Sequence, residues 1–395
     1  MTDARDIGIM RREIESIPDV IDRQIRDLGP HVAELLERLR HSGLDDGPLR
    51  VVVTGCGDSY FAGIASRLAF SEIAGTDAVP TEALEFARYE AGDPTRGDLR
   101  RILIAVSYSG EVGRTIEAAM VARARGWRTI AVTGRLDGRL AGVVDDVLTL
   151  DVPTLGTSPG TSTYVSMLVA LALIAAKLAE ARGRNQAHAQ LLGSLRAVPE
   201  LAQRTLSMSA ASAETLAGLL RDAELPTFLG AGPSLATAHF GAAKIFESVQ
   251  RPALAEHLEE WAHEQYFVSG PTMPTIVVAP QGPSRSRADE LLSEMRFIET
   301  PGVLVTDDRA GVDPGVSVLP FAAGAPEALS PLLSCLPIAY AVALLATQLG
   351  TRSYGFRSEA HEREHYETIH RLGPVDGPRP DAAIEQPTDA RGAGS

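Results

Sequence analysis

The sequence predicts an α/β protein of parallel sheets covered by helices on both faces, with one architecture used twice. Three observations carry this. Short, almost wholly apolar runs such as Val51–Val53 and Ile102–Val106 alternate with helical segments, the pattern of strands buried on both faces. Two of these runs lead into turns that open helices, Gly55-Cys56-Gly57-Asp58-Ser59-Tyr60 and Ser107-Tyr108-Ser109-Gly110-Glu111. Pro226–Ser234 then repeats the outline of Val51–Ser59: a strand, Gly-x-Gly, and a serine opening a helix.

Taken in order, residues 9–40 read as helix. Ile14, Ile17, Ile21 and Ile25, then Val32, Leu35, Leu36 and Leu39, keep apolar positions three or four apart, punctuated by Pro18 and Pro30. The alternating pattern then predicts strands over 50–54, 102–106, 128–133 and 146–151, and helices over 59–73, 82–91, 111–126 and 162–181. A polar helical stretch over 182–224 leads to a second series, with strands over 226–230, 274–279, 302–306 and 316–320 and helices over 234–250, 286–298 and 328–349. The division expected is a helical segment over 1–48, a first domain over 49–185, a connector over 186–224, a second domain over 225–350 and a C-terminal helical segment over 351–372. The last residues, 373–395, are rich in Pro, Gly, Asp and Ala and read as a disordered tail.

Composition narrows the function. The 395 residues give room for two domains, and 45% hydrophobic residues supply their cores. A net charge of −14 argues against a nucleic-acid partner, which needs a basic surface. Only two lysines occur, Lys177 and Lys244, and arginine carries the rest of the positive charge. Cys56 and Cys335 are too isolated for a disulfide framework or a cysteine-based zinc site, which fits a reducing cytoplasm. The polar start, Met1–Asp6, is no signal peptide, and the apolar run over 166–177 is too short to span a bilayer, so no membrane partner is expected.

The serine turns carry the chemistry. Backbone N–H groups at a helix N-terminus, with serine hydroxyls beside them, make an anion site, and phosphate is the natural guest. Glycine and serine also cap helices for purely structural reasons, and either turn alone reads as a cap. Their recurrence in one α/β unit favours binding. A dinucleotide site is not supported, because Tyr60 stands where the third glycine of that fingerprint belongs. His361-Glu362-Arg363-Glu364-His365 matches the zinc-protease pattern by letter, but its charged intervening positions do not suit a metal helix, and no metal or other cofactor is expected.

These motifs, with Ser162-Thr163, Glu13–Pro18, Gly241–Glu247 and Thr275–Pro280, resemble the sugar-isomerase (SIS) domain family, including the isomerase half of the glucosamine-6-phosphate synthases. The resemblance runs from about residue 10 to 350. It implies two αβα, flavodoxin-like SIS domains with a five-stranded parallel sheet each, and a homodimer. It assigns Ser59, Ser107 and Ser109, with Gly57 and Gly110, to phosphate, and Ser162 and Thr163 to a loop near the substrate. It implies that Glu247 moves a proton between C1 and C2 and that His263 opens the sugar ring. Lys244, one helical turn before Glu247, would hold that glutamate ionised or touch a substrate oxygen. Val112 replaces a threonine phosphate ligand, with Thr115 nearby, and His361 stands where the synthases have an imine-forming lysine. Cys56 lies inside the first repeat, and no N-terminal nucleophilic cysteine is present, so glutamine-dependent amidotransfer is not expected.

A carboxylate over an acidic C–H and a histidine near neutral pH suit enolisation and ring opening. The function expected is C1/C2 proton transfer on a sugar or amino-sugar phosphate, as an aldose–ketose isomerase or a deaminase or deglycase. The absence of an imine-forming lysine leans towards substrates that already bear an amine. The alternative is a regulatory protein that binds a sugar phosphate without turnover.

Overall fold

In the computed structural model, residues 6–41, 48–92 and 100–372 are described. The segment expected to be a disordered tail, 373–395, and the first five residues lie outside them. Helices α1 (Ile7–Glu15) and α2 (Ile17–His41) precede β1 (Leu49–Gly55), α3 (Asp58–Leu68), β2 (Asp77–Glu82), α4 (Ala83–Glu85), β3 (Arg100–Val106), α5 (Gly113–Ala124), β4 (Arg128–Thr133), β5 (Asp146–Thr149) and α6 (Ser162–Ala181). A single 37-residue helix, α7 (Asn185–Arg221), carries the chain across, with Pro199 inside it. There follow β6 (Thr227–Gly230), α8 (Ser234–Lys244), β7 (Leu254–His257), α9 (Glu260–His263), β8 (Thr275–Val278), α10 (Arg285–Phe297), β9 (Gly302–Thr306), β10 (Ser317–Pro320), α11 (Pro331–Leu349) and α12 (Glu359–His370).

The ten strands form two five-stranded sheets, in the orders β2-β1-β3-β4-β5 and β10-β9-β8-β6-β7, and every pairing is parallel. The second order is the first one repeated. The expected α/β class, with five parallel strands per sheet, is what the chain adopts. The two strands that periodicity does not reveal, β2 and β7, are the edge strands beside β1 and β6. An edge strand is only partly buried and tolerates proline, so its signal is faint; β2 carries Pro80, and β7 is half-exposed along its length.

Each central strand is buried on both faces with period two. Val51, Val53, Ile102, Ile104 and Val106 face one core, and Val52, Leu103 and Ala105 another, against α4 and α5. In the second sheet Phe228, Ile276, Val278, Val303 and Val305 face that same first core, while Leu229, Val277 and Leu304 pack against α9 and α10. The shared core is filled by α1, α2, α6, α7, α8 and α11, so the two sheets hold one helical layer between them. Helices α6 and α11 are long and apolar enough to cross a membrane, and both are mostly buried as core helices here.

The two strand–helix corners read from the sequence match in geometry. Gly57 has φ 55° and Gly232 φ 54°, both in the left-handed region open to glycine. At Gly55 an added Cβ would stand 2.7 Å from the Ser59 Cβ and 2.8 Å from the Val106 carbonyl. At Gly230 it would fall on the backbone of Ser234 and 2.6 Å from the Leu235 nitrogen. The corners differ in what lies over them. The carboxylate of Glu327 leans across the second one, within 3.0 Å of a Cβ at Gly282 and 3.9 Å of one at Gly232. The hydroxyls of Ser234, Ser284 and Ser330 are buried without hydrogen bonds among the described residues. Close approach and positive φ have separable costs. Gly230→Ala is expected to lose about 1–3 kcal/mol through overpacking against backbone, and Gly57→Ala, which has open space, about 1–3 kcal/mol from its backbone conformation alone, φ 55° with ψ −132°. Chemical denaturation of the two variants checks this.

Candidate active site

The two α/β units meet along α3 and α8. Phe61 of α3 stacks on His239 of α8 with ring centroids 5.1 Å apart, and Phe240 stacks on Tyr164 of α6 at 4.6 Å. These contacts carry the end of α8 to the β1–α3 corner. Lys244, the last residue of α8, is wholly buried. Its ammonium donates to Asp58 Oδ2 at 2.8 Å and to Glu247 Oε2 at 2.6 Å, and lies 4.9 Å from the Phe240 ring centroid. After Lys244 the helix widens into a π turn, Ile245–Val249, which carries Glu247. Such turns recur at functional sites because they re-aim a side chain within a continuous helix.

The electrostatics follow from burial. Desolvation alone would lower the Lys244 pKa, and the carboxylates of Asp58 and Glu247 reverse this and hold it raised. Burial pushes the Glu247 carboxyl up to about 7; Lys244 pulls it down and the Asp58 charge pushes it up again. Lys244 thus favours the ionised form of Glu247, as expected of it, but burial and the Asp58 charge outweigh that pull. One ammonium is shared by two carboxylates, and Glu247 is poised between its two forms near neutral pH. It also keeps an open side, with 27% of its side chain exposed. The segment after α11 closes over it. Tyr354, at φ 52°, donates its N–H to the Glu247 carbonyl at 2.9 Å and its hydroxyl to the Ser158 carbonyl at 3.3 Å.

The hydroxyl candidates divide. Ser107 and Ser162 are buried and their hydroxyls have no hydrogen bond among the described residues, which leaves them free for a ligand. Ser162 opens α6 beside Thr163, and Gly160 before them has no room for a Cβ, which would stand 2.6 Å from Asp58 Oδ2 and 3.1 Å from Thr163 Oγ1. Ser59 is turned inwards, donating to the Met167 sulfur at 3.5 Å. Ser109 is exposed and accepts from the Glu111 N–H at 3.3 Å, and Gly110 next to it has φ 67°. Val112 caps α5 without a side-chain hydrogen bond. Over that helix start lies the end of α12. Arg139 donates to the His370 carbonyl at 2.8 Å and Arg114 to the Arg371 carbonyl at 2.9 Å.

The two histidines do not join the cluster within one chain. On the short α9, Trp261 faces the core, so His263 two positions later faces outwards. His263 is 66% exposed and 3.5 Å from Glu259, which is itself held by Arg287. His361 sits in the first turn of α12, a helix with no buried residue; its Nδ1 accepts from the Arg357 N–H at 3.3 Å and its ring meets Phe356 edge-on. His361 and His365 share that phenylalanine as neighbour.

Two members of the cluster were not singled out from the sequence. Asp58 stands inside the quoted glycine turn, but an acid in the first turn of a helix reads as a partner for the helix dipole. Its pairing with a residue 186 positions away leaves no local trace. Tyr354 sits in an irregular loop without periodicity. The scarcity of lysine was the available signal for Lys244.

Lys244→Met removes the cation that pairs with Asp58 and Glu247, both half-buried. A loss of about 1–3 kcal/mol is expected, the cost of leaving part-buried polar groups unpaired, and thermal denaturation reads it. Since Lys244 lowers the Glu247 pKa, its loss raises the midpoint of Glu247 titration, which carboxyl-labelled NMR follows.

Comparison with known proteins places this geometry. The SIS domain family matches residues 47–177. The glutamine–fructose-6-phosphate aminotransferase (isomerizing) of Pseudomonas putida is 28% identical over 358 residues, covering 85% of this chain and 56% of that protein. The chain thus spans about half the length of that relative. The C-terminal domain of glucosamine-fructose-6-phosphate aminotransferase from Francisella tularensis superposes with a TM-score of 0.75 at 21% identity, over 88% of this chain and 98% of that one. Tagatose-6-phosphate ketose/aldose isomerase from Escherichia coli superposes at 0.70 and 15% identity, over 87% and 93%. With two parallel five-stranded sheets, the chain carries a SIS domain and is homologous to the isomerase portion of the glucosamine–fructose-6-phosphate aminotransferases.

Proposed function

We propose that this chain is a phosphosugar-processing enzyme that moves a proton between C1 and C2 of its substrate. The observation that carries the reading is the Asp58–Lys244–Glu247 cluster, with Glu247 raised to about 7. A base of that pKa accepts a proton from the C–H beside a carbonyl or imine and returns it to the neighbouring carbon. The free hydroxyls of Ser107 and Ser162, with the N–H groups of the helix starts, would hold the phosphate. The names of the two compared enzymes, which carry fructose 6-phosphate and tagatose 6-phosphate, support a hexose phosphate. Isomerisation and amine release use the same proton transfer and differ only in the substituent on the sugar. His263 and His361 take no step in this proposal, because neither reaches Glu247 within one chain.

The surface position of His263 favours a second reading, binding without turnover in a regulatory role. One experiment separates the two. The protein is mixed with a panel of hexose, pentose and amino-sugar phosphates in D2O and followed by proton NMR. Deuterium entering at C1 or C2, lost about 10²–10⁴-fold in Glu247→Gln, supports the enzyme. Saturable binding with no exchange of any compound supports the regulatory reading.

The pH dependence has a definite sign. The carboxylate is the active form, so exchange falls as pH drops through about 7. A carboxyl whose folded pKa is raised contributes stability fully present below the usual 4.5 and lost as pH rises through about 7. Denaturation of wild type and Glu247→Gln across that window should show the loss in wild type alone.

A further inference from the structure

We propose that Asp58 selects the substrate, its free carboxylate oxygen taking a cationic amine on the sugar. This rests on the phosphosugar reading of the same site. Asp58 Oδ2 is engaged by Lys244, while Oδ1 is buried and has no hydrogen bond among the described residues. A buried carboxylate oxygen without a donor is costly, and one that persists at a ligand site points to a donor the ligand brings.

The charge balance says what kind of donor. The cluster holds two carboxylates and one ammonium, and among the described residues the charged groups that bear on Glu247 are Lys244 and Asp58. With Glu247 in its carboxylate form, the form that takes the proton, one negative charge is left over. A sugar hydroxyl could donate to Oδ1 but would leave that charge unmatched; an ammonium group satisfies the oxygen and balances the charge together. Placement agrees. Asp58 adjoins the loop that leads to Ser162 and is bridged by Lys244 to Glu247, so it lies between the hydroxyls suited to phosphate and the base suited to the reacting carbons. Asp58 and Glu247 keep 17% and 27% of their side chains exposed, an open edge on the cluster. A phosphate at one end and an amine at the other would then be read by hydroxyls and by a carboxylate respectively. An amine beside Glu247 would also draw its titration downwards and keep more of it in the active carboxylate form.

The test compares matched ligands, glucosamine 6-phosphate against glucose 6-phosphate and 1-amino-1-deoxyfructose 6-phosphate against fructose 6-phosphate, by calorimetric titration of wild type and Asp58→Asn. Asparagine keeps an oxygen for Lys244 and removes the charge. Wild type is expected to favour at least one amine-bearing ligand over its neutral twin by about tenfold or more, and Asp58→Asn to bring that ratio close to one. If Asp58 served only to anchor Lys244, its replacement would weaken both members of a pair alike and leave the ratio unchanged, which overturns the proposal. A ratio near one in wild type overturns it without recourse to a variant. Deuterium exchange in the same samples keeps the two readings apart. Exchange of neutral sugars with no amine preference sinks the role of Asp58 alone, and amine preference with no exchange sinks the enzyme reading alone.

Discussion

An ammonium group with no access to water has to be matched where it lies, and Lys244 is such a group. It is matched by one carboxylate from each half of the molecule, Asp58 from the corner after β1 and Glu247 from the turn after α8. Neither half completes the arrangement alone. The requirement ties the contact of α3 with α8 to a fixed spacing, secured by the aromatic stacks of Phe61 on His239 and Tyr164 on Phe240. It also accounts for the π turn. Lys244 and Glu247 are three residues apart, and widening the helix directly after the lysine lets both side chains reach one point while the backbone runs on. A buried ion trio of this kind is a poor way to stabilise a fold, since desolvation offsets most of the attraction. Its value lies in holding a carboxyl at a pKa that water would not give it.

The rest of the site is arranged with less force. Tyr354 and its loop are tied to Glu247 and Ser158 by two hydrogen bonds, and α12 beyond them buries nothing of its own. The last carbonyls of that helix rest on Arg114 and Arg139 at the start of α5. Segments with few buried apolar contacts open at low cost. The stability of the molecule is concentrated in the shared helical layer between the sheets, and the covering over the site draws little from it.

The parallel sheets were legible because their central strands are apolar on both faces, and the corners because a close approach such as that of Gly55 on Ser59 demands glycine. β2 and β7 were hidden because Asp77–Glu82 carries Pro80 among polar residues and Leu254–His257 ends in two polar ones, whereas the other two edge strands, β5 and β10, each keep a Val-Leu pair. In the site, Glu247 was reached through the family resemblance, and Lys244 through the scarcity of lysine and its place one turn before that glutamate. Asp58 was not reached, because its role is set by a partner in the other half of the chain and not by its neighbours. The resemblance gave His263 a role at the site, and within one chain the facing of a four-residue helix around Trp261 turns it outwards. Local chemistry can be read along the chain; which side chains share a cavity is decided by the meeting of two layers.

The second corner, with the Glu327 carboxylate lying across Gly282 and Gly232, has a consequence for how this architecture can change. Duplication supplied two receptacles of one shape, and in the second the chain has supplied its own tenant. A substitution there disturbs the packing of Glu327 over the turn, whereas one at the first corner disturbs a trio of charges. The second receptacle can therefore be re-cut without touching the charge pairing that joins the first one to Glu247, which makes it the natural starting point for grafting a new specificity onto this scaffold.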